Sequence, residues 1–202
     1  QKYSKIDVLL NNAGGANKTK QITTEGLEKT FATNQMNYFV LSTELLEIIS
    51  ESNDGRIVNV ASNAHIGAEV DYENINSEKS FSAWTSYCVS KLMNIMFTYQ
   101  LSSIQDKVSV NVLHPGFVDT NIAGNEGNFI KYIVKLGAKM FARTVDSGAD
   151  SSIYLSTSDE VQNVSGKYFF KCKEIKSSRA SYNKEDWQKV WDLCNEYKIK
   201  LI

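Results

Sequence analysis

Tyr87-Cys88-Val89-Ser90-Lys91 places a phenol and an ammonium four residues apart. On a helix that spacing puts both groups on one face. An ammonium beside a phenol favours the phenolate and would draw the tyrosine's pKa down from about 10. A phenol tuned in that way can exchange a proton with an alcohol or a carbonyl near neutral pH. The pair carries little weight alone, because the chain has 10 tyrosines and many lysines. Three other segments agree with it. Asn11-Asn12-Ala13-Gly14 follows an apolar run, Ser62 closes a second run, and Pro115-Gly116 closes a third.

These residues need elements to hold them. Ile6-Asp7-Val8-Leu9-Leu10 reads as a strand buried on both faces, the habit of parallel sheets. Such a strand is an unusual place for a domain to begin, and the chain has no initiator methionine, so missing upstream strands are expected. Glu25 to Ser50 carries apolar residues at helical spacing, with Thr24 as a candidate N-cap. Arg56 to Ala61 reads as the next strand, followed by a polar loop to about Ser80. Trp84 to Ser103 reads as a helix, Val108 to Leu113 as a strand, Ser147 to Ser156 as a short helix and Lys167 to Phe170 as a strand. Asn183 should cap a last helix, with Glu185 and Asp186 in its first turn, lysines at its end and an apolar stripe of Trp187, Val190, Trp191 and Cys194. Strands separated by helices argue for an α/β fold with a parallel sheet. No repeat or low-complexity linker divides residues 1–202, so one domain is expected. In open parallel sheets ligands bind beyond the carboxyl ends of the strands. Asn11 to Gly15, Ser62-Asn63 and His114-Pro115-Gly116 all fall there.

Composition narrows the partners. A net charge of −1 points to neither nucleic acid nor an anionic membrane surface. No run of about 18 apolar residues is present, so no spanning helix is expected in this chain. Cys88, Cys172 and Cys194 form an odd, sparse set that reads as reduced thiols in a cytoplasmic type of compartment. No Cys/His cluster has metal-ligand spacing. His65 and His114 read as structural or supporting residues beside Ser62 and Pro115. The apolar stretch from Phe129 to Phe141, with scattered lysines, reads as a lid over an apolar pocket, as a helix packed on the core, or as a surface for membrane or partner.

Taken together, Leu9-Leu10-Asn11-Asn12-Ala13-Gly14, Thr33-Asn34, Arg56 to Ser62, Tyr87-x-x-x-Lys91 and His114 to Thr120 resemble the motifs of the short-chain dehydrogenase/reductase family. The wording around Ser62 (Val58 to His65), the long gap to Tyr87 and Ser165 to Phe169 look most like its retinol-dehydrogenase-like branch. The resemblance implies a Rossmann-like, doubly wound parallel sheet, N-terminally truncated. It also implies hydride transfer between NADP or NAD and an apolar alcohol or carbonyl of retinoid, steroid or lipid type. In that reading Tyr87 is the general acid/base, Lys91 lowers its pKa and bonds the nicotinamide ribose, and Ser62 donates to the substrate oxygen. Asn34 would hold a water linking Lys91 to solvent. Asn12, Ala13 and Gly14 would approach the adenosine side of the cofactor, Pro115 and Gly116 the nicotinamide, the Val118 backbone its carboxamide and Thr120 a phosphate. A homodimer through two long helices is compatible with the family.

One departure stands out. No Gly-x-x-x-Gly-x-Gly or Gly-x-Gly-x-x-Gly phosphate loop occurs in residues 1–202. The competing expectation is therefore a catalytically inactive, truncated family member serving as an interaction subunit, or a gene fragment.

Overall fold

The structure, a computed structural model, describes residues 3–116 and 145–201. Its centre is a sheet of five strands in the order β1-β2-β3-β4-β5: Val8–Asn11, Arg56–Val60, Ser109–Leu113, Tyr168–Phe170 and Lys173–Ile175. The first four run parallel and the fifth antiparallel. Leu10 pairs with Val58 and Val58 with Asn111, so the three strand ends that carry the motifs are in register.

Side-chain alternation divides the sheet into two packed faces. Ile57 and Val110 point into the larger core. That core is built with α1 (Lys29–Phe31), α2 (Asn37–Glu44), α3 (Leu46–Ser50), α4 (Ala83–Ile104) and α6 (Lys184–Leu201). Val58, Val60 and Leu113 point the other way, against Leu155 of α5 (Val145–Thr157) and Phe169. Helices therefore cover both faces, as a doubly wound sheet requires. Arg56 fastens the second layer. Its guanidinium bonds Asp54 and donates to the carbonyls of Leu155 (3.2 Å) and Ser158 (2.8 Å), where the end of α5 is negative.

Helix α4 is the axis of the molecule. Every residue from Tyr87 to Leu101 is buried, which a helix can sustain only with neighbours all round. The sheet lies on one side. On the other, α6 lays Val190 and Cys194, both fully buried, against it. Trp191 packs between the rings of Phe39 (5.1 Å) and Phe97 (6.1 Å). The cap expected at Asn183 is present, its side chain accepting from the Glu185 N–H at 3.1 Å.

Three expectations are corrected. The helix expected from Glu25 begins at Lys29, and its N-cap is Glu28 rather than Thr24. Both Glu28 carboxylate oxygens accept backbone N–H groups, from Thr30 and Phe31 at 3.0 Å each, while the Thr24 hydroxyl turns to Glu25. That helix is also interrupted, by a π-helical turn at Ala32–Met36 and by a break at Leu45. Strand β1 starts at Val8, and it is not buried on both faces. It lies at the edge of the sheet among the described residues, with Leu10 42 % exposed. Strand β5 was not foreseen. It is reached by a tight turn at Lys171 and Cys172, both with positive φ, and its exposed Lys173 and Glu174 suit an edge.

Candidate active site

Of the four candidate catalytic groups, the end of β2 delivers Ser62, the helix after β1 delivers Asn34, and α4 delivers Tyr87 and Lys91. Ser62 lies just past β2 in extended backbone and caps a 3-10 turn at Asn63–His65, its Oγ accepting from the Ala64 N–H at 3.2 Å. That bond uses a lone pair and leaves the hydroxyl proton to donate. Ser82 caps α4, accepting from Thr85 N–H at 3.3 Å, and so sets the phase that turns both Tyr87 and Lys91 inward. Tyr87 is 9 % exposed and Lys91 4 %. Ser62 lies close enough to Tyr87 for its hydroxyl to favour the phenolate.

The electrostatics differ from the simple expectation. Burial dominates at Tyr87 and holds its pKa above the ordinary phenol value, against the smaller opposing pull of Ser62. Lys91 lies beside two buried tyrosines. Its Nζ sits 5.9 Å from the Tyr87 ring centre and 5.4 Å from that of Tyr38, and it donates to the Val60 carbonyl at 2.8 Å. Desolvation lowers its own pKa to about 7. The phenol therefore holds its proton more tightly than a free tyrosine, and the amine gives up its proton more readily than a free lysine.

Asn34 sits in the π-helical turn, a local widening that often marks functional sites. Its side chain is committed to protein rather than turned to solvent. Oδ1 accepts from Gly15 N–H (2.8 Å), and Nδ2 donates to the Gly15 carbonyl (2.9 Å) and Ser90 Oγ (2.9 Å). The Asn34 carbonyl accepts from Asn94 Nδ2 at 2.8 Å. Asn34 thus pins the loop after β1 to α4, one residue from Lys91 in sequence.

Gly14 marks where this loop comes closest. A Cβ there would stand 2.8 Å from Asn34 Oδ1 and 3.3 Å from Lys91 Nζ, so only glycine fits without displacing an amide held by three hydrogen bonds. Asn12, Ala13 and Gly14 are exposed, open to a ligand over the strand ends. Gly116, with φ +83°, turns the chain after β3. It is braced by its N–H donating to His114 Nδ1 at 3.2 Å, while His114 stacks on Phe170. Val118, Thr120 and the segment from Phe129 to Phe141 lie outside the described residues.

Several supporting residues escaped sequence reading. Tyr38, one turn past Asn34, is buried beneath Lys91, and its hydroxyl donates to the same Val60 carbonyl at 3.4 Å. Below the strand ends runs a buried polar chain. Asn11 donates to Ser42 and Asn59, Asn59 to Thr98, Thr98 to the Asn94 carbonyl, and Asn94 to Asn34 and Gln35. Asparagine inside the strand run Ile57-Val58-Asn59-Val60 was the available signal, since a buried amide needs partners.

Comparison with known proteins agrees with this geometry. A family profile described as short chain dehydrogenase matches residues 1–130. Human retinol dehydrogenase 14 is 36% identical over 206 residues, which cover 100% of this chain and 61% of that protein. Human polyprenol dehydrogenase is 32% identical, with 92% of this chain and 59% of that one covered. The chain thus spans about three fifths of the length of the curated relatives it matches. A crystal structure of an uncharacterized protein from Mycobacterium paratuberculosis superposes with a TM-score of 0.76 at 25% identity, over 98% of this chain and 69% of that one. Gluconate 5-dehydrogenase from Burkholderia cenocepacia, solved with NADP and tartrate, has the same fold at 19% identity, with a TM-score of 0.60 over 82% of this chain and 63% of that one. The fold is Rossmann-like, and the chain belongs to the short-chain dehydrogenase/reductase family, on its retinol-dehydrogenase-like branch.

Proposed function

We propose that this chain carries the catalytic residues of an NAD(P)-dependent oxidoreductase that reduces an apolar carbonyl, or oxidises the matching alcohol. The observation that supports it most is the grouping of half-buried Ser62 with buried Tyr87 and Lys91 beside the exposed loop of Asn12, Ala13 and Gly14. Such a grouping can polarise one oxygen and move one proton, and little else.

The residues present suit a nicotinamide cofactor. Gly14 lets the backbone lie against Asn34 and Lys91. Among the described residues, Lys91 spends one donor on Val60, leaving further N–H groups for ribose hydroxyls. Pro115 and Gly116 begin the loop that would flank the nicotinamide, and Val118 and Thr120 would continue it. The cofactor, when bound, supplies or takes the hydride.

In the reductive direction the substrate oxygen accepts hydrogen bonds from Ser62 and Tyr87. Tyr87, its proton held by a raised pKa, gives that proton to the oxygen as negative charge develops there. The phenolate left behind is stabilised by the Ser62 hydroxyl and by protonated Lys91. The amine's pKa of about 7 suits it to return a proton near neutrality. Oxidation of an alcohol runs the same path in reverse, beginning from the phenolate, so the raised phenol pKa favours reduction.

An apolar substrate fits the rim. Trp84, one turn before Tyr87, is 37 % exposed, and its ring centre is 6.4 Å from that of Tyr87. The homodimer remains part of this proposal. Because α6 occupies the face of α2 and α4 built by Phe39 and Phe97, a second copy would have to pair beside that helix. The test is consumption of NADPH and of NADH, followed optically, with retinal, a long-chain aldehyde and a short polar aldehyde. Turnover with the first two, about tenfold above the third in kcat/KM, is expected. Equal rates for all three would exclude the apolar substrate class, and no turnover with any would exclude the reading.

A further inference from the structure

His65 follows Ser62 by three residues, and its side chain is 1 % exposed. Its Nδ1 lies 2.7 Å from the Ser62 carbonyl oxygen, and its Nε2 lies 3.0 Å from the backbone nitrogen of Ser178. A carbonyl can only accept and a backbone N–H can only donate. Nδ1 therefore carries the proton, and Nε2 presents a lone pair. Burial also favours the neutral ring. The ring stands edge-on to Tyr168, with centres 5.3 Å apart at 72°. One imidazole thus joins the corner after β2 to a segment 113 residues away.

That far segment is itself firmly held. Ser177 Oγ contacts Tyr99 of α4 at 2.8 Å, and Ser181 Oγ donates to the Ser178 carbonyl at 2.7 Å. Tyr182 stacks on Tyr99 at 5.5 Å, and the Trp187 indole donates to the Ser181 carbonyl at 2.6 Å. Ser62 in turn has its carbonyl bonded twice by His65, by the ring and by the backbone N–H at 3.2 Å. With its carbonyl fixed and its Oγ bonded to the Ala64 N–H, Ser62 keeps little freedom to move.

We propose that His65 is a positioning residue for Ser62: with its ring oriented by the Ser178 N–H, its Nδ1–H holds the Ser62 carbonyl and so keeps Ser62 in place beside Tyr87. The role rests on Ser62 and Tyr87 acting on one substrate oxygen, as in the reading above. A displacement of about 1 Å at such a centre costs on the order of 100-fold in rate.

The Tyr87 Cζ signal in carbon-13 NMR of tyrosine-labelled chain reads this directly at neutral pH, because it responds to hydrogen bonding at the phenol. Ser62→Ala sets the size of the displacement when the partner is absent. His65→Ala should reproduce most of it. His65→Asn, which can still donate to the Ser62 carbonyl, should stay near the parent. His65→Gln, which reaches towards Ser178, should move with His65→Ala. Should His65→Ala fail to fold, the contrast between Asn and Gln decides the matter. A Tyr87 signal unchanged in folded His65→Ala, identical in the Asn and Gln variants, or unmoved by Ser62→Ala overturns the proposal. In turnover, His65→Asn should hold kcat within about threefold of the parent and His65→Gln should lower it at least tenfold, with KM for the nucleotide unchanged in both. Absence of turnover in the parent would overturn the hydride-transfer reading instead, leaving the NMR comparison to decide the role of His65.

Discussion

Lys91 shows how burial decides the chemistry of a single residue. The sequence places an ammonium on the same helix face as Tyr87, and that much was legible from spacing. The direction of the pKa effects was not, because spacing carries no information on desolvation. Once both groups are buried, the phenol rises and the amine falls to about 7. The cost appears in stability. In the unfolded chain Lys91 titrates near 10.5, and in the folded chain near 7. Below pH 7 both states are protonated, and the folded state bears the full penalty of a buried charge. Between pH 7 and 10.5 the unfolded state binds more protons, so stability rises with pH until the penalty is gone. Lys91→Met should therefore stabilise the fold by on the order of 5 kcal/mol at pH 6, an amount that shrinks towards zero by pH 10.5. Chemical denaturation at the two pH values checks this. A gain that grows with pH would show that Lys91 is a net stabilising group. Tyr38 stayed hidden for a related reason. Nothing in a tyrosine one helical turn past Asn34 shows that its ring will lie under an amine.

At the scale of elements, periodicity located all four parallel strands and the long helices to within a few residues, and the polar strand ends gathered where parallel sheets bind ligands. The misses have local causes. Thr24 looked like a cap because threonine followed by apolar helical spacing usually is one. Glu28 prevailed because its carboxylate reaches two orphan N–H groups at once, while its own N–H is taken by Asn76 Oδ1 at 2.5 Å. A glutamate at that position leaves no distinctive pattern. Glu28 is fully buried, so Glu28→Ala would strand two donors and should cost about 2 kcal/mol. Glu28→Gln retains one carbonyl acceptor and should cost about half as much. Equal losses for the two variants, by thermal or urea unfolding, would mean that packing rather than capping holds the residue. The effect should extend to the site, because this helix carries Asn34 into the π-helical turn that holds Gly15. Strand β5 was missed because Lys173 and Glu174 are the wrong residues for a buried strand and the right ones for an exposed edge.

The whole molecule is a sheet clad on both faces, with α4 at its centre and the reacting groups where β1, β2 and α4 meet. Most of that arrangement was legible, because parallel strands need intervening helices and helices need apolar faces. The clamp from α6 and its leading segment was not. Val190, Cys194 and Trp191 announce an apolar stripe, but not that it will close over Phe39 and Phe97 or bring Ser178 to His65. The account stands on Tyr87 as the carrier of the one proton that moves. The most direct test compares parent and Tyr87→Phe in two measurements on the same preparations: NADPH binding by fluorescence titration, and steady-state reduction of an apolar aldehyde. The account predicts nucleotide affinity within about threefold of the parent and turnover reduced by at least 10³-fold. Turnover within tenfold of the parent, with affinity intact, would contradict it and move the proton to another group.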